Sequence, residues 1–215
     1  MFARPLAIAA LGLSVLGGLA LVGAPAALAQ MPAPNVLKDP KAAPAGFYKL
    51  DPRHASATVK LAHMGLSHYT MRFDTIAGSY SYDPAHPAAT QVSVTIDPKS
   101  VDTGDPKFND EISDKFLDAG KYPVINFTST RIIEGAGDRG EVEGILNFHG
   151  VQKPVTLHVT YRGFVEMMKQ QRMGFSGETT FKRSDFGAVS YIPVVGDEVT
   201  VLIEVEFAKQ PSGPA

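Results

Sequence analysis

The chain has 215 residues, a formal net charge of −2, no cysteine and no tryptophan, and 44% of it is hydrophobic. The near-neutral balance, without a basic cluster, argues against a nucleic-acid partner. The lack of cysteine excludes disulfides and lipid attachment at a cleavage-site cysteine, so stability has to come from apolar burial and backbone pairing.

Arg4 precedes an apolar run from Leu6 to about Val22, and Ala27 and Ala29 in "APAALAQ" satisfy the small-x-small rule for cleavage. Residues 1 to 29 read as a secretory signal peptide cut after Ala29, which places the mature protein in the periplasm. Gly12, Gly17, Gly18 and Gly23 dilute the run and argue against a retained membrane anchor. Residues 30 to 46, "QMPAPNVLKDPKAAPAG", are rich in proline and alanine without a period, and read as a flexible linker.

From Phe47 onward the dominant period is two. "FYKLD", "SATVKLAH" and "MRFDTIAGSYSYD" are strand-like, and "QVSVTID" sets Val92, Val94 and Ile96 against Gln91, Ser93 and Thr95. Residues 105 to 123, "DPKFNDEISDKFLDAGKYP", break the pattern. There Phe108, Ile112, Phe116 and Leu117 fall at helical spacing, closed by Gly120 and Pro123. Alternation returns with Ile125 and Phe127 in "VINFTSTRII", then "EVEGILNFH". It continues with Val155, Leu157, Val159 and Tyr161 in "PVTLHVTYRGF", and with Met173, Phe175 and Phe181 in "RMGFSGETTF". "EVTVLIEVEFA" closes the series with Val199, Val201, Ile203, Val205 and Phe207 on one face. Residues 209 to 215 read as a disordered tail. About eight or nine half-buried strands with short Gly, Asp and Pro turns predict an all-β antiparallel fold, closed into a barrel and capped by the single helix.

Residue chemistry points away from catalysis. The six histidines are His54, His63, His68, His86, His149 and His158, and the nearest pair, in "HMGLSH", lacks the spacing of a metal site. No G-x-S-x-G elbow, phosphate loop or dinucleotide fingerprint is present. Glu204 and Glu206 share one side of a strand, the polar one. "GILNFHGVQKPVTLHVTY" reads as a hairpin whose turn is "GVQK", with Pro154 at the first position of the second strand and His149 at a rim. His158 alternates onto the solvent face. No cofactor, metal site or catalytic residue is assigned.

The same hairpin, "GILNFHGVQKPVTLHV", resembles a segment of the YceI-like family of bacterial periplasmic lipocalin-like proteins. Four more segments agree in order: "YKLDPRHASATVKLAHMGLS" at Asp51, His54 and His63; "IDPKSVDTGD" at Ser100 and Thr103; "KFLDAGKYPVINFTST"; and "KRSDFG" at Arg183, Asp185, Phe186 and Gly187. The likeness spans about residues 47 to 208. Ala55, Leu61 and "NDEIS" depart from its pattern. The resemblance implies an extended eight-stranded antiparallel lipocalin-like barrel with one short helical segment near its mouth. It also implies binding, transport or storage of a long-chain amphipathic lipid, a polyprenyl chain or an isoprenoid quinone.

On that basis the expected ligand-binding residues are Val94, Ile96, Ile125, Phe127, Leu146, Phe148, Leu157, Val159, Phe175, Phe181 and Ile203. His63, Arg183 and Asp185 are expected either to meet the head group or to be structural polar anchors. A homodimer is compatible with the sequence. Two alternatives remain: a stress-response interaction module with a filled core, and a hydrolase with His63, His149 and Arg183 at the barrel mouth. They are separated from lipid binding by whether the barrel is hollow and whether those three side chains meet.

Overall fold

The computed structural model describes residues 33 to 211, and the expected signal peptide lies outside them. The unit that starts at Pro34 is built on ten strands: β1 (Gly46–His63), β2 (Ser67–Phe73), β3 (Ile76–Tyr82), β4 (Gln91–Ile96), β5 (Val101–Asp102), β6 (Ile125–Glu134), β7 (Arg139–Phe148), β8 (Val151–Met167), β9 (Gln170–Lys182) and β10 (Val195–Lys209). The sheet order is β10-β9-β8-β7-β6-β4-β3-β1-β2-β5, and β1 also pairs with β10, which closes an eight-stranded antiparallel barrel. "FYKLD" and "SATVKLAH" are one strand, β1, interrupted by a register shift against β10 between Leu50 and Ala55.

Long β1 explains the two strands beyond the ring. Residues 46 to 49 pair with β3, while residues 57 to 63 pair with β2 on the same flank. β2 and β3 are thus successive pieces of one wall position, broken at Asp74 and Thr75. β5 likewise continues the line of β4, but only two residues of it pair, with β2. Beyond β5 the wall is completed by the helical segment. It begins at Pro106, where the Asp105 side chain accepts from the Lys107 amide as an N-cap. It runs as an α-helix, α1 (Pro106–Glu111), and widens to π-helical geometry over Ile112–Phe116. The helix expected to be ended by Gly120 and Pro123 ends sooner, because Asp118 takes a positive φ of 47° and turns the chain toward β6.

The hairpin between β7 and β8 is tighter than expected. Its turn is His149–Gly150, with φ of 52° and 76°, the left-handed pair of a two-residue hairpin loop. Gly150 is required twice over: its φ is positive, and a Cβ there would meet the Tyr122 ring at 2.5 Å. Pro154 is therefore not the first strand residue. It sits inside β8, opposite Ile145, on a stretch that has no β9 partner, because β8–β9 pairing begins only at His158. A missing N–H is harmless on such an unpaired flank. Phe148, Phe181 and Phe186 fill the parting of β8 and β9, with ring centroids 5.2 to 6.2 Å apart.

Part of the stretch expected as a flexible linker is packed. Leu37 exchanges two backbone hydrogen bonds of 2.9 Å with Phe164, and Lys38 Nζ donates to the Arg162 carbonyl. Ala43 is buried, and the carbonyls of Pro40 and Pro44 accept from the hydroxyls of Tyr82 and Tyr48. Residues 37 to 44 thus form a strap across one end of the barrel. The strap end also holds the β3–β4 connection and the β6–β7 turn. The opposite, helix end holds the helical segment, the β1–β2 and β7–β8 turns, and the β9–β10 connection.

Candidate functional site

The barrel is hollow. Its interior is a cavity of about 940 Å³, lined from the strap end to the helix end and walled mainly by apolar side chains. Eight-stranded barrels are usually just wide enough for side chains to fill or for one small ligand, so the space needs a local cause. Small inward residues supply one. Along one row of cross-strand partners stand Ala57, Ile203, Gly177, Val159 and Gly140, where two glycines and an alanine face the axis. The helical segment adds Phe108, Ile112 and Phe116 to the lining at its end.

The expected inward residues line this cavity: Val94 and Ile96 on β4, Ile125 and Phe127 on β6, Leu146 and Phe148 on β7, Leu157 and Val159 on β8, Phe175 and Phe181 on β9, and Ile203 on β10. Period two places them there, since each β-strand turns alternate side chains inward. The ladder keeps their registers matched, with Val94 opposite Phe127 and Phe127 opposite Leu146.

The three polar positions part company. Arg183 is buried, and its guanidinium donates to four backbone carbonyls: Gly196 at 2.8 Å, Ala188 at 2.7 Å, Ser190 at 2.8 Å and Val195 at 2.9 Å. Burial holds its pKa below the usual guanidinium value, with Asp197 opposing that shift. Its donors bind the β9–β10 connection together. Asp185 is exposed and outside the cavity lining; it is Asp197 that caps Ser184, accepting from its amide and its hydroxyl. His63 lines the cavity at the helix end. His149 packs on Tyr122 at a tilt, with centroids 4.4 Å apart. Among the described residues, His63, His149 and Arg183 make no hydrogen bond to one another, and no group of three His, Asp or Glu side chains is placed to hold a metal.

Asp51 and His54, which carried the first motif of the resemblance, lie on the outer face. Arg172 donates to Asp51 at 2.6 Å and to Glu206 at 3.2 Å, and His54 Nδ1 lies 3.0 Å from Asp51. The hydrogen bond from Arg172, then that from His54, holds the Asp51 carboxyl far below the usual carboxylate range. This cluster ties β1, β9 and β10 where the β1–β10 register shifts.

Sequence reasoning placed Tyr161 on the inward face of its strand but missed the rest of the strap-end lining. Tyr80, Tyr82 and Tyr161 line the strap end of the cavity, with Thr90 from the β3–β4 connection and Asp39 to Lys41 from the strap. Tyr80 and Tyr82 could have been found by alternation in "GSYSY"; Thr90 and the strap carry no periodic signal.

A hollow, closed antiparallel barrel with an apolar interior defines the class of lipocalin-like barrels. A YceI-like domain model matches residues 48 to 207, and the chain belongs to the YceI-like family. A UPF0312 protein of Vibrio vulnificus is 36% identical over 170 residues, covering 77% of this chain and 88% of its own length. The crystal structure of BcnA from Burkholderia cenocepacia superposes with a TM-score of 0.66 at 26% identity, covering 73% of this chain and 98% of that one. A polyisoprenoid-binding domain from Saccharophagus degradans superposes with a TM-score of 0.60 over 78% of this chain and all of its own, and at 17% identity that likeness concerns the fold alone.

Proposed function

We propose that the protein binds a long-chain amphipathic lipid, of polyprenyl or isoprenoid quinone type, along the barrel axis, and carries or stores it in the periplasm. One observation carries this reading: an apolar cavity of about 940 Å³ that runs between both ends of the barrel. That volume lies at the upper end for small-molecule sites. A long, thin, apolar guest fits it because each methylene removed from water contributes about 0.8 kcal/mol. A chain of many methylenes therefore binds without any charged contact, even after the cost of ordering it. A filled interaction module would have no such space. The reading is of binding, not catalysis, because the side chains grouped for a hydrolase do not meet: Arg183 donates to backbone carbonyls, and among the described residues it makes no hydrogen bond to His63 or His149.

Native mass spectrometry of protein purified from a periplasmic extract, followed by organic extraction, tests this. A lipid retained in near one-to-one ratio is the expected result, with the protein absent from the cytoplasmic fraction. Protein that carries no lipid and takes up neither polyprenols nor quinones would overturn the reading.

A further inference from the structure

The rim at the helix end carries apolar side chains that nothing among the described residues covers. Two connections meet there, the β1–β2 turn at Met64 to Leu66 and the β9–β10 connection from Arg183 to Val194. The Met64 amide donates to the Val194 carbonyl at 2.8 Å and ties the two together. On this joint rim Leu66 is 83% exposed, and Met64, Val189, Tyr191 and Val194 are each more than half exposed. Two of these also line the cavity: Val194, and Tyr191, which stacks on Phe116 with centroids 5.2 Å apart. The apolar interior therefore reaches the outside of the molecule here, and the exposed apolar surface is continuous with it.

Hairpin geometry does not ask for these residues. Met64 and Gly65 take φ of 54° and 68° in a turn closed by the Leu66 amide on the His63 carbonyl. That geometry favours asparagine or glycine at its first central position, where Met64 stands. Tyr191 has a φ of 62°, a costly conformation for a bulky side chain, and keeps most of its ring in solvent.

Charge selects the occupant. Residues 64 to 67 and 186 to 196 contain no Asp, Glu, Lys or Arg, so both loops can enter an apolar phase without burying a charge. The neighbouring helical segment carries Asp110, Glu111, Asp114 and Asp118 against Lys107, Lys115 and Lys121, so there is no basic collar to draw the rim to anionic head groups. Met167 and Met168, in the β8–β9 turn, are also exposed, but they stand beside Glu166 and Lys169 and do not line the cavity. A water-insoluble guest also restricts the choice. A layer of water between rim and membrane would restore the hydration cost that the cavity removes.

Resting on the lipid-binding reading above, we propose that the helix-end rim is a reversible docking surface for a lipid bilayer, on which Met64, Leu66, Val189 and Tyr191 enter the interface and set the cavity mouth against the membrane. The guest then passes between bilayer and barrel without crossing water. Contact is apolar, as for an uncharged interfacial anchor, not electrostatic.

The test uses the full mature chain and vesicles of phosphatidylcholine, alone or mixed with phosphatidylglycerol. Association is read by flotation, and transfer by the rate at which radiolabelled squalene leaves the vesicles for the protein. The wild type should float with both vesicle types, with no gain from phosphatidylglycerol and no loss in high salt. The double variant Leu66→Ser, Val189→Ser alters only exposed residues outside the cavity lining. It should weaken association by about tenfold or more and slow transfer by a similar factor, while squalene uptake from detergent solution stays at the wild-type level. Met168→Ser should change neither association nor transfer. Wild-type protein that does not float, a double variant that floats and transfers as the wild type does, or an equal loss with Met168→Ser would each overturn the docking surface. A dimer that the double variant dissociates, without vesicle binding, would overturn it too and give the rim to a second copy of the chain. If docking fails while squalene is still taken up from detergent, lipid binding stands; if squalene is taken up from neither source, lipid binding itself fails.

Discussion

The two ends of the barrel are built on opposite plans. At the strap end Tyr80, Tyr82 and Tyr161 line the cavity, and the chain crosses over them between Leu37 and Pro44, where its carbonyls accept from the hydroxyls of Tyr48 and Tyr82. At the helix end Phe108, Ile112, Phe116 and Val194 line the cavity beside His63, Glu111 and Arg183, and the rim exposes Met64, Leu66, Val189, Tyr191 and Val194. There the Arg183 guanidinium is spent on backbone carbonyls of the β9–β10 connection. The two ends thus differ in what closes them, an extended strap at one and a helical segment at the other.

The largest effect should come from breaking the anchor of the helix end. Arg183→Met leaves four carbonyls of the β9–β10 connection without a donor. It should cost about 3–4 kcal/mol, a loss of roughly 10 °C in melting temperature by calorimetry.

Next, Gly177→Phe tests the passage between the ends. A Cβ at Gly177 meets nothing closer than 3.6 Å, and its cross-strand partners Val159 and Ile203 both line the cavity. The ring should block the tube and weaken lipid uptake by about a hundredfold in a fluorescence displacement assay, with the circular dichroism spectrum unchanged.

The strap end should yield to alkali. Burial, then the neighbouring Tyr82, pushes the Tyr48 hydroxyl up to about 12. In the unfolded chain it ionises near pH 10, so this stability is present below pH 10 and is lost as pH rises toward the folded value, on the order of 2 kcal/mol by pH 12. Urea titrations between pH 8 and 12 should show this slope, and Tyr48→Phe should make it shallower without abolishing it, because burial also raises Tyr80, Tyr82 and Tyr161.

The smallest effect is expected at the outer cluster, which serves neither end. The Asp51 carboxyl is held low by Arg172 and then His54, so its contribution is complete above about pH 4 and fades as pH falls below that. Asp51→Asn should cost about 1–2 kcal/mol at pH 7 and progressively less in melts taken toward pH 2.

What the sequence determined by itself was the wall. Alternation names the inward side chains of β4, β6, β7, β8, β9 and β10 because a strand's period is two and a one-residue slip would expose the whole apolar set. Family motifs in the same order supplied the closed eight-stranded barrel. The meaning of the polar residues was not legible, because it depends on partners far apart in sequence. Arg183 and Asp185 look alike in "KRSDFG", yet only Arg183 turns inward, where the carbonyls of residues 188 to 196 converge. The strap was hidden because "NVLKDPKAAP" has no period; it is ordered by the Phe164 backbone and the Tyr82 hydroxyl, contacts more than 40 residues away. The hollow interior was likewise a tertiary decision. Gly140 and Gly177 read singly as weak points in strands, and only cross-strand register sets them along one row with Ala57 and leaves room for a guest.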